Sequence, residues 1–114
     1  MIKSILDTLL FSMILTFASA TFAEEASVRI FSPDDGAKLD AMAQNKISYE
    51  VVAGPKGDHT HLYLDGKEAA ILRQLKGSHT FETLAAGSHE ICIKVVNKNH
   101  TPIGVEKCIK VKVE

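Results

Sequence analysis

Hydrophobic and polar residues alternate along most of the chain after residue 23, and turn-forming residues separate the alternating stretches. In "KISYEVVA", for example, Ile47, Tyr49 and Val51 alternate with polar residues until "GPKGD" interrupts the pattern. A period of two is typical of strands that bury one face. Further strands are predicted in "SVRIF", "HTHLYLDG", "KEAAIL", "GSHTFETL", "SHEICIKVVN" and "IGVEKCIKVKV". The pattern therefore predicts an all-β antiparallel sandwich of about seven short strands.

The first 23 residues follow a different pattern. Lys3 precedes the apolar run "LLFSMILTFA", and the small residues of "ASATFA" come next. These features predict a signal peptide that is cleaved after Ala20 or Ala23. The run is too short to span a bilayer and no second run follows, so we expect no membrane span after cleavage. The expected layout is a signal peptide over 1–23 and one domain over 24–114, in a periplasmic or secreted bacterial protein.

The alternation also assigns side chains to the two faces of each strand. In the last two strands the odd-numbered residues are apolar and are expected to face the core, although Lys107 interrupts them. In the strand beginning at His59, Leu62 and Leu64 are expected to point inward. The opposite row is then predicted to face solvent: His59, His61, Tyr63 and Asp65. The core row of the final hairpin is Ile91, Ile93, Val95, Val105, Ile109, Val111 and Val113.

The two cysteines of the chain are Cys92 and Cys108. If the final hairpin turns around "NKNHTPIG", residues whose numbers sum to 200 lie opposite each other, and the two cysteines satisfy that condition. Opposite residues have Cα atoms about 4.5–5.5 Å apart, which suits a disulfide in an exported protein. Such a bridge is worth roughly 3 kcal/mol of unfolding free energy. The alternative is a redox or metal-binding pair, for which Cys-x-x-Cys spacing is more typical.

Charge and motifs exclude several functions. Lys and Arg number 13 and Asp and Glu number 14, so no basic excess indicates nucleic-acid binding. The sequence contains no Gly-x-Ser-x-Gly elbow, no His-Glu-x-x-His motif and no phosphate-binding glycine loop. We therefore predict a protein that is not an enzyme and that has no cofactor, unless the histidines bind a metal.

Four stretches carry a family resemblance. "VRIFSPDDGAKL", "HLYLDGKEA", "LAAGSHEICIKVVN" and the terminal "CIKVKV" together resemble the bacterial immunoglobulin-like (Big-type) domains. The resemblance implies an immunoglobulin-like or fibronectin III-like sandwich that acts as a binding or structural module. "HTHLYLDG" and "NHTP" are also similar to uncharacterised secreted bacterial domains that carry HxHLYxDG and DHxP. Neither family implies an enzyme.

The resemblance also implies where the histidines lie. In an immunoglobulin-like sandwich the strand of His59 is the third and runs antiparallel to the sixth, so His59 and His61 should lie near the loop that carries His100. His79 is expected at the same end of the sandwich, although it should lean towards the core. His89 is expected at the opposite end, where it bonds backbone in a turn.

Two functions follow from this placement. The first is an exported, non-catalytic immunoglobulin-like module of the cell envelope, whose partner is a protein or an envelope component. The predicted contact face is His59, His61, Tyr63, Asn99 and His100.

The alternative function is a small periplasmic metal-binding protein, in which His59, His61 and His100 hold copper or zinc. Two residues apart on a strand, side chains share a face with Cα atoms about 6.6 Å apart, so two imidazoles can reach one ion at about 2.0–2.1 Å. Copper(II) and zinc(II) suit imidazole ligands. The competing interpretation is that these histidines are ordinary polar residues of an exposed row.

Overall fold

The computed structural model describes residues 24–114, which form eight strands and no helix. The predicted signal peptide lies outside the described residues, so its cleavage site and the domain limit after residue 23 remain predictions. Within residues 24–114 no helical segment exists that is long and apolar enough to cross a membrane. The strands are β1 (Ser27–Ser32), β2 (Lys38–Leu39), β3 (Lys46–Val52), β4 (His59–Leu64), β5 (Lys67–Leu72), β6 (Lys76–Thr80), β7 (Gly87–Val96) and β8 (Pro102–Val113).

The strands form two sheets, in the orders β1-β3-β6 and β2-β8-β7-β4-β5. Every pairing is antiparallel except that of β2 with β8, where Lys38 lies beside Lys112 in parallel register. The predicted all-β sandwich is therefore confirmed. The two-residue strand β2, which has no alternating pattern of its own, raises the number of strands from about seven to eight.

The core lies between the two sheets and follows the predicted side-chain alternation. Ile91, Ile93 and Val95 are fully buried, and they pack in one cluster with Ile47 and Tyr49 of the other sheet. In β8 the predicted core row is buried from residue 109 onward, whereas Val105 is half-buried and Lys107 is exposed. The charge of Lys107 thus interrupts the apolar row at a position that the core does not cover.

The final hairpin has the predicted register over most of its length. Residue pairs that sum to 200 lie opposite each other from Gly87 and Val113 to Lys94 and Glu106, after which a bulge shifts the pairing. Cys92 and Cys108 face each other with Cα atoms 4.0 Å apart and form a disulfide. The predicted bridge is confirmed, so both sulfurs are unavailable for redox exchange or metal binding while it is intact.

The β4–β5 hairpin turns on Asp65 and Gly66, with Leu64 opposite Lys67. The φ angles of Asp65 and Gly66 are 52° and 83°. Two-residue hairpin turns of type I′ require positive φ at both positions, which explains the Asp-Gly pair in the sequence. This tight turn pairs β5 with the side of β4 that faces away from β7.

The predicted position of His79 along the sandwich is wrong. His79 pairs with Ile47 near the start of β3, whereas the loop leading to His59 follows the end of β3 at Val52. His79 therefore lies at the opposite end of the sandwich from His59. Its inclination towards the core is correct, because it is half-buried and its ring meets the ring of Phe81 edge-on at 5.4 Å.

Candidate metal centre

Three histidines from two separate parts of the chain meet at one end of the five-stranded sheet. His59 and His61 lie two residues apart in β4, and His100 lies in the loop between β7 and β8. β4 runs antiparallel to β7, with His59 opposite Val96, so the start of β4 lies beside the end of β7. The antiparallel pairing of β4 and β7 therefore places His100 close to His59 and His61.

The predicted exposure of His59 and His61 is wrong, since only 2% and 3% of their surfaces remain exposed. Both point away from Leu62, as the alternation requires, but β4 is a central strand between β7 and β5. Across these pairings His61 lies between Lys94 and Ile71. The neighbouring strands β5 and β7 and the loop that carries His100 therefore cover the two imidazole rings. On an exposed strand face, solvent would surround these rings.

The three rings direct one nitrogen each towards a common centre. The Nε2 atoms of His59 and His61 are 3.2 Å apart, and the Nδ1 atom of His100 lies 3.1 Å from the first and 3.0 Å from the second. The ring centroids are farther apart, at 5.1, 4.7 and 5.1 Å. Because the nitrogens are closer together than the rings, each ring points inward.

The contact made by Nδ1 of His59, the ring nitrogen that faces away from the centre, indicates which ring nitrogen carries the hydrogen. Nδ1 of His59 lies 2.9 Å from Oδ2 of Asp58, a distance at which it donates a hydrogen bond to the carboxylate. In the neutral imidazole, which carries hydrogen on only one nitrogen, the Nε2 atom that faces the centre is then a bare acceptor. A carboxylate behind a histidine is the usual support of a metal ligand.

His61 has a similar but looser arrangement. Its Nδ1 atom is buried without a hydrogen-bond partner among the described residues, and the nearest carboxylate oxygen is Oε1 of Glu68, 3.4 Å away. Burial lowers the pKa of His61, and nearby His59 and His100 lower it further, although Glu68 opposes the shift. The lowered pKa favours the neutral form of His61, in which imidazole binds metals.

The three nitrogen–nitrogen contacts cannot all be hydrogen bonds, because among three nitrogens that each either carry or lack a hydrogen at least two are alike. With hydrogen on the Nδ1 atoms of His59 and His61, their Nε2 atoms are two acceptors 3.2 Å apart. A hydrogen on Nδ1 of His100 can bond to either acceptor but does not remove the contact between them. A cation at the centre would satisfy all three lone pairs at once.

His100 is exposed, and the loop that carries it is held by hydrogen bonds to Asn97. The Asn97 side-chain oxygen accepts hydrogen bonds from the backbone N–H groups of Asn99 and Thr101 at 2.9 and 3.0 Å. Its backbone oxygen accepts a bond from the N–H of His100 at 2.9 Å. His100 itself has a φ of 64°, which is uncommon for a residue other than glycine. Asn97 therefore positions the third imidazole.

The other residues of the predicted contact face have different surroundings. Tyr63 is half-buried, and Nζ of Lys94 lies 4.4 Å from the centre of its ring. Asn99 is exposed at the tip of the loop. Since His59 and His61 are enclosed, Tyr63, Asn99 and His100 are the members of this face that a partner can reach.

His89 lies at the other end of the sheet, as predicted. Its Nε2 atom donates to the backbone oxygen of Ala85 at 2.6 Å, and its Nδ1 atom lies 2.6 Å from Oδ2 of Asp65. Both nitrogens are thus engaged in local contacts. The predicted bond from His89 to turn backbone is present, and the contact with Asp65 is an addition that the sequence analysis did not anticipate.

Sequence reasoning missed three supporting residues of the centre: Asp58, Glu68 and Asn97. Asp58 could have been found from the acid directly before His59 in "GDHTH". Asn97 could have been found from the "NKNH" turn, because asparagine side chains often bond backbone two residues ahead. Glu68 depends on a bulge between Leu62 and Tyr63, which no local signal indicates.

Comparison with known proteins identifies the fold and no family. No family model matches the chain, and no curated protein matches it. The fibronectin(III)-like modules of Clostridium thermocellum CbhA match 76% of this chain and 96% of their own, with a TM-score of 0.64 and 15% identity. The extracellular domain of BT4673 from B. thetaiotaomicron matches 83% of this chain, with a TM-score of 0.58 and 17% identity.

In the second case the match covers only 16% of the larger chain. At these identities the likeness concerns the fold alone, and it supports an immunoglobulin-like or fibronectin III-like domain. The similarity to HxHLYxDG domains remains a prediction.

Proposed function

We propose that this protein is a non-catalytic fibronectin III-like module that binds one transition-metal ion through His59, His61 and His100. The observation that carries the proposal is the convergence of three imidazole nitrogens within 3.2 Å of one another. From the centre of that triangle each nitrogen is about 1.8 Å away, close to the zinc–nitrogen distance of about 2.0–2.1 Å. An ion at that distance from all three nitrogens would lie slightly out of the plane of the triangle.

The donor set favours a divalent ion. Three neutral imidazoles suit copper(II) and zinc(II), and no described cysteine is free. The one methionine of the described residues, Met42, follows Ala41, whose N–H bonds the backbone oxygen of Glu114 beyond the far end of β8. The carboxylates of Asp58 and Glu68 behind the rings supply two negative charges that balance a dication. A second cluster of Glu90, Cys92 and Cys108 is a poor candidate because its sulfurs form the disulfide.

Titration calorimetry of the full-length chain with zinc(II) and copper(II) tests the proposal. We expect one ion per chain in the wild type. His61→Gln and His100→Asn each remove a proposed ligand. Each should lower the metal affinity by more than about 10–100-fold, which is the typical effect of replacing a residue that only hydrogen-bonds to a ligand. Asparagine is chosen at 100 because it tolerates the positive φ of that position.

The matched control is His79→Gln, which removes a half-buried histidine at the other end of the sandwich. It should bind as the wild type does. Metal at about 100 times its dissociation constant should also raise the unfolding free energy by about 2.7 kcal/mol. Absence of binding to either ion, or unchanged binding by both ligand variants, would refute the proposed metal site.

A second candidate is a structural or binding module of the bacterial cell envelope, in which the metal plays no part. The disulfide favours an oxidising compartment, and the fibronectin III-like fold occurs in the extracellular domain noted above. Cell fractionation with mass measurement of the mature N-terminus tests export, which predicts a chain beginning at Thr21 or Glu24. An uncleaved chain in the cytoplasm would contradict it.

A further inference from the structure

The histidine centre supplies three ligands, whereas the ions that suit it usually take four. The ligand atoms that converge on this centre are those of His59, His61 and His100, and no other described histidine, cysteine, aspartate or glutamate joins this group. The nearby carboxylates of Asp58 and Glu68 contact the rear nitrogens of His59 and His61 and do not face the centre. Zinc in proteins is almost always four-coordinate, and a site with three protein ligands leaves the fourth position to an exogenous group.

The size of the nitrogen triangle indicates where that position lies. With edges of 3.0, 3.1 and 3.2 Å, the triangle is too small to hold an ion in its plane at ordinary bond lengths. An ion about 2.0–2.1 Å from all three nitrogens would lie about 1 Å above the plane. Its remaining coordination direction then points away from the triangle, so the three rings do not block it.

Access to the centre differs between its ligands. His59 and His61 are enclosed by the sheet, but His100 is exposed on the loop between β7 and β8. The loop side is therefore the side on which the centre has a solvent-exposed ligand. This loop is held by the hydrogen bonds that the Asn97 side-chain oxygen accepts from the N–H groups of Asn99 and Thr101, and not by strand pairing of His100 itself.

We infer that the bound ion keeps one open coordination position, which accepts a monodentate donor from outside the chain. This inference rests on the proposed function and adds to it the formation of a ternary complex. The donor class is a small anion or a neutral imidazole, and both would bond to the ion by a single nitrogen or oxygen atom. Such a site suits transfer of the ion to another molecule, because an incoming ligand can bind before any histidine leaves.

The experiment uses the full-length chain loaded with one equivalent of cobalt(II) in place of zinc(II). The visible spectrum of cobalt(II) reports how the ion is coordinated. Azide and free imidazole are added separately, and equilibrium dialysis measures whether cobalt remains bound. We expect a saturable spectral change with at least one probe while the cobalt content stays at one per chain. A response to azide alone indicates a narrow opening for small anions, and a response to imidazole indicates room for a histidine side chain.

Two results would overturn the inference while leaving the proposed function intact. One is a cobalt spectrum that neither probe changes. The other is a spectral change that occurs only as cobalt is stripped from the protein. If cobalt, zinc and copper all fail to bind before any probe is added, the proposed function itself fails, and that failure is visible in the loading step. His79→Gln, loaded in parallel, should respond as the wild type does.

Discussion

Asp58 Oδ2 accepts a hydrogen bond from His59 Nδ1 over 2.9 Å, although the two residues are adjacent in the chain. Asp58 ends the loop after β3, and His59 begins β4. The bond places hydrogen on the rear nitrogen of the ring and turns the bare Nε2 atom towards His61 and His100. The loop and the strand therefore cooperate to prepare one ligand before any ion arrives.

Removing this support should weaken metal binding without unfolding the domain. For Asp58→Ala we expect an about 10–100-fold lower affinity for zinc(II), because the ring loses the acceptor that fixes its hydrogen and orientation. Asp58→Asn keeps an oxygen acceptor and should lose less. The measurement is competition against a chromophoric chelator.

Glu82→Gln provides the control, since it removes one negative charge from an exposed residue outside the site. It should leave the affinity unchanged. Wild-type affinity in Asp58→Ala would show that the carboxylate has no part in preparing the ligand.

Asn97 should act on the same centre through His100. Asn97→Ala removes the oxygen that accepts two backbone N–H groups of the loop, and each lost bond is worth about 1 kcal/mol. We expect an about 10-fold lower metal affinity, because the imidazole must then be ordered on binding. Asn97→Asp retains the acceptor oxygen and should restore most of the affinity. Equal losses in both variants would mean that the loop contacts do not position His100.

The sequence predicts the strands well where the alternation is long and uninterrupted. The alternation of apolar and polar residues, together with the position of one turn, predicts the final hairpin. In this hairpin Ile91 and Ile93 point inward and Cys92 lies opposite Cys108. The resemblance to immunoglobulin-like domains also predicts that His59, His61 and His100 approach each other, because the order of strands in such a sandwich places them at one end.

The remaining features depend on pairings between residues distant in the chain. Whether His61 is exposed or enclosed is decided by Ile71 and Lys94 on neighbouring strands, not by its own alternation. The wrong position of His79 has another origin: β6 begins at Lys76 and ends at Thr80, so His79 lies near the end of the strand and not at its start. Glu68 reaches its position only through an irregularity in the β4–β5 pairing.

The disulfide should provide a large part of the stability. Cys92 and Cys108 close a loop with a sequence separation of 16 residues, for which the chain-entropy estimate is roughly 3 kcal/mol. Replacing both cysteines with serine should lower the melting temperature by about 12–24 °C, given about 4–8 °C per kcal/mol for a domain of this size. Calorimetry of both proteins with EDTA measures the effect without metal. A change below about 3 °C would refute a major stabilising role.

The pair formed by Asp65 and His89 should make stability depend on pH. The hydrogen bond to Asp65, followed by the bond to the Ala85 carbonyl, raises the pKa of His89, although burial opposes the shift. The bond from His89 lowers the pKa of Asp65. Stabilisation through His89 is present below its unfolded pKa of about 6.5 and is lost as the pH rises through the raised folded value.

Stabilisation through Asp65 is present above its unfolded pKa of about 3.9 and is lost as the pH falls through the lowered folded value. The pair therefore stabilises the fold most between about pH 4 and pH 6.5. Chemical denaturation with EDTA should show that His89→Gln loses more stability at pH 5.5 than at pH 8.5. We expect a difference of at most about 1 kcal/mol, because Asp65 is half-exposed and solvent screens the pair. An equal loss at both pH values would mean that the contact stabilises the turn as a neutral hydrogen bond, without the charge on His89.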